Sequence, residues 1–358
     1  MKSNNKPFYG LMIANTEVNL LICIQIRRKF FSEFPMDIIL GNKRVLYAYE
    51  KGNVGQFFDE VFYYDYEEYK YSISKFWSAR RNLLNTIGTD AKKYSDIFFW
   101  NPDCFLYNIF HQDVFKNKKY HLYSDSVAIF LDLPRFDKHY WGISGKILNA
   151  IDYYIFGWGR WNRFRHDIYS FRVDLIEEGK YPNDIIIEIP QCTKEDIEAF
   201  NQAYSYIRRE INCKYIFLDV AHQGEFDEKN LTSELKKLMD TEIGNELLIK
   251  PHPGKIRQDY LDRGYRLLEI SIPWELFCLN EDMDKYVLIG VYGGAIIQSY
   301  IMSGQSFKAV LMNKVIPSKY VYLTEIKRLY DLVGAETGYM KELNSLEELG
   351  GYLRDFEN

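Results

Sequence analysis

The sequence is poor in the features that mark several large protein classes. Cysteine is scarce: Cys23, Cys104, Cys192, Cys213 and Cys278 are five in 358 residues, odd in number, widely spaced and never in a CxxC pair. That spacing fits neither a disulfide framework nor a structural zinc, and points to a reducing compartment. Positive charge is not in excess, with 45 Lys and Arg against 50 Asp and Glu and a net charge of -5. Nucleic-acid binding, which needs cationic surface to neutralise phosphates, is not expected on that balance. No apolar run reaches the roughly 18–20 residues of a membrane-spanning helix. The stretch from Met1 to Tyr9 has no apolar core of a secretion signal, so the expected location is cytoplasmic. GxxxxGK[ST], GxGxxG and GxSxG are missing, and no DxD pair stands out as a site for Mg or Mn.

What is present is length and a regular alternation. At 358 residues the chain exceeds the size at which one core stops growing, so two domains are expected. Aromatics reach 17%, with 30 Tyr and 24 Phe. They serve cores, carbohydrate stacking or a membrane interface, but an AT-rich coding sequence gives the same count, so the number carries no functional weight. Residues 8–14 read as a strand. Leu20, Leu21, Ile24, Ile26, Phe30 and Phe31 then recur at helical spacing from Glu17, Pro35 stops that helix, and 36–40 read as a second strand. This is a βαβ unit.

Strands at 60–64, 96–100 and 121–124 and a helix at 72–87 continue the series, which 121–124 is expected to close. The segment 133–167 breaks the alternation. It holds Trp141 and the run Gly157-Trp158-Gly159-Arg160-Trp161-Asn162-Arg163-Phe164-Arg165, which reads either as a connecting helix with Arg stems over aromatic rings or as a surface for a membrane or glycan. Two prolines, Pro182 and Pro190, frame a short strand before a capped helix at 194–210, which puts the domain boundary at 180/181. Strands are expected again at 214–220, 246–250, 266–270, 286–291 and 307–312, with helices at 231–240, 274–279 and 295–302 and two more over 325–356. Such alternation implies a second parallel sheet. Two doubly wound α/β domains facing each other across a cleft would bind a ligand at the carboxyl ends of their strands.

Four places carry candidate chemistry. In Lys250-Pro251-His252-Pro253, an apolar strand runs into a His held between two prolines, which present the imidazole rigidly beside Lys250 and Lys255. Such a group can hydrogen-bond a phosphate and, protonated, offset the charge of a departing nucleotide. In Tyr292-Gly293-Gly294-Ala295, with Ser299 a turn further on, two glycines let the backbone approach a ligand while the next helix aims free amides at it. After the strand at 214–220 come Asp219, His222 and Glu225, three candidates for a general base. Asp125, in Ser124-Asp125-Ser126, faces an acceptor or caps a helix.

Taken in order, these landmarks resemble the bacterial sialyltransferases of glycosyltransferase family 52. That family opens with a strand leading into a long helix, as at 11–30 here. It carries an Asp-Asp-Gly, of which Asp125 alone remains, then a strand with an acidic catalytic loop, then His-Pro, met here by His252-Pro253, and last a Ser-bearing phosphate turn, where this chain has Gly293 and Gly294. A gapless match sets His222 where the family has its Asp.

The resemblance implies a GT-B fold, with an acceptor-side domain over 1–180 and a nucleotide-sugar domain with C-terminal helices over 181–358. It implies direct inverting transfer of sialic acid from CMP-sialic acid, without metal or cofactor, to a galactose-terminated oligosaccharide or a lipid-linked glycan of a capsule or lipooligosaccharide. Asp219, His222 or Glu225 would be the base, with His252 and Asp125 also catalytic. Lys250, His252, Pro253, Gly293, Gly294, Ala295 and Ser299 would hold the donor. Peripheral contact with the inner face of the membrane and a homodimer fit the same reading. Two rivals stay open: a GT-B transferase with another donor (CMP-Kdo, a hexose nucleotide or a CDP-polyol), and a non-catalytic binding protein on the same fold.

Overall fold

The structure, a computed structural model, describes residues 8–43, 45, 50–65, 76–100, 118–124, 127–130, 166–208, 210–219, 228–252, 257–268, 272–316, 323–338 and 340–355. The chain divides into two compact units, Met1–Asp125 with Leu133–Tyr206, and Ser126–Asp132 with Ile207–Asn358.

In the first unit, strand β1 (Gly10–Ala14) leads through Thr16 into helix α1 (Glu17–Phe30). Thr16 caps that helix: its hydroxyl accepts from Asn19 N at 3.2 Å, while Asn19 Oδ1 accepts from Thr16 N at 3.0 Å. This is a capping box with Asn in the role usually played by Glu or Gln. Strands β2 (Met36–Leu40) and β3 (Val61–Tyr63) follow, then helix α2 (Phe76–Ile87), β4 (Asp96–Phe99), β5 (Lys119–Tyr123), β6 (Asp167–Ser170), β7 (Ile185–Glu188) and helix α3 (Lys194–Tyr204). The seven strands lie in the order β3-β2-β1-β4-β5-β6-β7, every pair parallel. Sequence order reverses between β1 and β4, the doubly wound pattern.

The N-terminal series therefore does not close at 121–124. β6 and β7 extend the sheet, and the change of unit falls at Tyr206/Ile207 rather than at 180/181. The cause is the packing of α3 on α1. Asp196, in the first turn of α3, has a fully buried side chain. It accepts from Gln25 Nε2 at 3.1 Å and pairs with Arg28 and Lys29 at 3.3 and 2.8 Å. The helix expected to 210 stops at Tyr204 because Ser205 takes a left-handed conformation (φ 48°) as its C-cap.

The second unit contains β8 (Tyr215–Leu218), helix α4 (Glu228–Met239), β9 (Leu247–Lys250), the short helices α5 (Arg257–Leu261) and α6 (Trp274–Asn280), β10 (Val287–Gly290), helix α7 (Gly294–Ser303), β11 (Lys308–Leu311), helix α8 (Leu323–Thr337), β12 (Met340–Glu342) and helix α9 (Leu349–Asp355). The strand order is β12-β11-β10-β8-β9, again all parallel, with sequence order reversing between β8 and β10. Phe217, Ile249, Ile289 and Val310 fill the core on one side of this sheet. The strand expected at 266–270 is, among the described residues, a single bridge from Leu267 to Ile249. β12 was not foreseen. Among the described residues no helix is long and apolar enough to cross a membrane.

Candidate functional site

The sheet of the second unit is what brings the candidate residues together. Leu218 of β8 is in register with Lys250 of β9 on one side and with Gly290 of β10 on the other, so the three strands end level. The residues that follow, Asp219, Pro251-His252 and Val291 to Gly294, share one carboxyl edge at the point where strand order reverses. Gly290 permits the close approach: a Cβ there would stand 3.3 Å from Leu218 O and 3.4 Å from Ile296 Cδ1.

Asp219 is buried and faces the His252 segment. Its N–H donates to Lys250 O at 3.1 Å, and its Oδ2 accepts from His252 N at 3.5 Å and, in a very short contact, from the Tyr260 hydroxyl on α5. Its carboxylate thus fixes the main chain that presents the imidazole. Lys250 lies on the same edge, its ammonium 3.4 Å from Pro251 O. Lys250 is also near Glu275, buried in the first turn of α6. Burial pushes the Glu275 carboxyl above its usual range, against the opposing pull of its own backbone N–H and of Lys250.

On β10 the turn into α7 is held from both sides. Tyr292 N donates to Asn313 Oδ1 at 2.6 Å. Gly293 N donates to the Tyr330 hydroxyl at 3.2 Å, and that hydroxyl donates back to Gly293 O at 2.7 Å. Gly293 is the N-cap of α7 in an extended conformation (φ -156°), and a Cβ on Gly294 would meet no atom within 4 Å. The positive end of this ten-residue helix is directed at the turn, where it favours an anion. The Ala295 carbonyl accepts from Trp274 Nε1 at 3.0 Å and from Ser299 Oγ at 2.9 Å. Ser299 is 2% exposed and hydrogen-bonds the Cys278 thiol, so its hydroxyl is turned into the α6–α7 contact and away from the turn.

Of the expected site residues, Asp219, Lys250, His252, Gly293, Gly294 and Ala295 lie on one edge of one sheet. His222, Glu225, Asp125 and Pro253 lie outside the described residues, as does the aromatic and basic run at 157–165. The sequence contains one DxD spelling, Asp282-Met283-Asp284. It sits in the turn at the amino end of β10, on the sheet edge opposite His252, with Asp282 3.5 Å from Lys285. Tyr260, Asn313, Trp274 and Tyr330 were not foreseen. Pro273 before Trp274, a helix-start signal, is the one local cue to any of them.

No family model matches the sequence, and no curated protein matches it. The structure is similar to a protein from Listeria monocytogenes assigned as a UDP-N-acetylglucosamine 2-epimerase, with 10% identity, a TM-score of 0.53, and coverage of 98% of this chain and 88% of that one. It also matches MurG of Acinetobacter baumannii at 11% identity and a TM-score of 0.43, over 98% of this chain and 91% of that one. A third match is Os79 of O. sativa, solved with UDP and deoxynivalenol-3-glucoside, at 9% identity and 0.45, over 90% and 84% of the two chains. The first of these shows a shared fold: α/β, with two Rossmann-like parallel sheets of the GT-B type.

Proposed function

We propose that the chain is a metal-independent, inverting glycosyltransferase that holds a nucleotide-sugar at the carboxyl edge of the second sheet. The observation that carries this reading is the level ending of β8, β9 and β10. It gathers Asp219, Lys250, His252 and the amino end of α7 at a strand-order reversal, where doubly wound sheets bind ligands. The fold similarity to a protein named for UDP-N-acetylglucosamine supports the ligand class.

In the reaction, a base removes the proton of an acceptor hydroxyl and that oxygen attacks the anomeric carbon. The bond from that carbon to the phosphate oxygen breaks, and the nucleotide leaves with the electron pair. His252 and the first amides of α7 stabilise the charge that develops on the phosphate, an interaction stronger in the transition state than before it. Asp219 keeps His252 in place through the backbone, which leaves proton removal to His222 or Glu225. The landmarks shared with family 52 make CMP-sialic acid the narrower choice of donor and a galactose-terminated surface glycan the acceptor.

A second reading, favoured by the Listeria structure, is an enzyme acting on a UDP-sugar. Thermal shift with CMP, CDP, UDP and GDP on wild type and His252→Ala separates the two, because a ligand that binds only the folded state raises the melting temperature. A CMP shift that His252→Ala removes is the expected result. A shift with UDP alone selects the second reading, and no shift with any of the four sinks both.

A further inference from the structure

His252 and Tyr260 stand eight positions apart in sequence, and one carboxylate oxygen receives them both. Asp219 Oδ2 accepts from His252 N at 3.5 Å and, in a very short contact, from the Tyr260 hydroxyl. A carboxylate oxygen has two lone pairs and can take two donors at once. The segment that carries the imidazole is therefore drawn together at both its ends on the residue that follows β8. Tyr260 is 7% exposed, and packing keeps it in place. Its ring belongs to the core of the second unit with Ile249 and Leu267, 6.4 Å from the ring of Tyr265. Its carbonyl accepts from Tyr265 N at 3.0 Å, just past the end of α5. The bond to His252 N is the longer and weaker of the two on Oδ2, so it depends on how firmly Tyr260 orients the carboxylate.

We propose that Tyr260 is a positioning residue for nucleotide binding: its hydroxyl fixes the Asp219 carboxylate and, through it, the main chain that presents His252. This role rests on the nucleotide-sugar reading above. Tyr260 acts through His252 and not on the ligand itself. Loss of the hydroxyl removes the stronger of the two bonds on Oδ2 and loosens the weaker, which leaves His252 to the constraint of its flanking prolines.

Tyr260→Phe tests this directly, since it keeps the packed ring and removes only the donor. Titration calorimetry with CMP, CDP and UDP is expected to show affinity reduced by about fivefold in Y260F, the loss for one hydrogen bond. Circular dichroism checks that the fold is kept. Equal affinity in the two proteins overturns the role and leaves the proposed function standing, whereas no binding by wild type overturns both. The ring resonances of His252, followed by nuclear magnetic resonance without ligand, show where the loss arises. They are expected to move in Y260F, and unmoved resonances overturn the role even where affinity falls. Should Y260F fail to fold, hydrogen exchange of the His252 amide in wild type decides. Protection is expected, and exchange at the rate of an unstructured peptide overturns the role.

Discussion

Asp196→Asn should weaken the first unit by an amount that depends on pH. The carboxylate has a fully buried side chain, and burial alone would raise its pKa. Hydrogen bonds from Lys29, from Thr193 N and from Gln25 outweigh that and lower it from 3.8 to about 2. A folded value below the unfolded one means that the charged form stabilises the fold. The contribution is complete above the unfolded pKa and fades as the pH falls from about 4 toward about 2. A depression of nearly two pKa units corresponds to about 2 kcal/mol at neutral pH, with roughly half gone by pH 3. Asn keeps the shape of Asp and removes the charge, leaving Arg28 and Lys29 without a counterion on α1.

Urea unfolding followed by circular dichroism, at about pH 6.5 and about pH 3, reads the difference between wild type and variant. The expected gap is about 2 kcal/mol at the higher pH and about 1 at the lower. A gap that stays constant with pH would show that the charge is not what joins α1 to α3. No gap at pH 6.5 would refute the clamp outright.

Two further outcomes follow from the second unit and from the thiols. Tyr330→Phe removes the hydroxyl that both accepts from Gly293 N and donates to Gly293 O, so it should lower stability by about 1–2 kcal/mol and weaken nucleotide binding with it. Thermal shift with and without CDP measures both effects, and unchanged ligand affinity would count against a pinned turn. Burial pushes the Cys192 thiol up to about 12 and the Cys213 thiol up to about 11. Iodoacetamide at pH 8 should therefore label both slowly in the native protein and fast in urea, as read by peptide mass spectrometry; fast native labelling would contradict the burial.

The sequence makes the buried parallel strands plain and the partnered ones obscure. β1 and β2 are covered along their whole length and read as apolar runs, broken in β2 only by Asp37, whose buried charge is met by Lys93 and Tyr94, and β2 is found where the pattern sets it. β6 begins with a charge, Asp167, which looks like a loop residue. Its charge is met by Lys119 at 2.6 Å and by His121 at 3.5 Å, both more than forty positions away in sequence and adjacent only once β5 and β6 pair. β12 is a half-exposed edge strand of three residues and offers no periodicity to detect. The stretch at 266–270 fails in the other direction, with an apolar spelling but a single bridge to β9.

The same division runs through the site. His252 and Gly293-Gly294 announce themselves because Pro and Gly constrain the chain locally. Tyr260, Asn313 and Tyr330 reach their partners across 41, 21 and 37 residues, and no local pattern encodes such contacts.

Register, more than loop composition, is what the chemistry of the second unit depends on. His252 and the turn into α7 share one sheet edge, with β8 between them, because Lys250, Leu218 and Gly290 are level, and the bond from Asp219 N to Lys250 O keeps β9 from sliding against β8. A slip of one residue would carry His252 about 3.3 Å along the edge and turn the strand's side chains to the opposite face. Asp219 guards against that twice, through its own N–H on Lys250 and through its carboxylate on His252 N. A carboxylate in that position is of more use as a clamp than as a base, since a proton taken up by Asp219 would weaken its hold on His252 N and Tyr260.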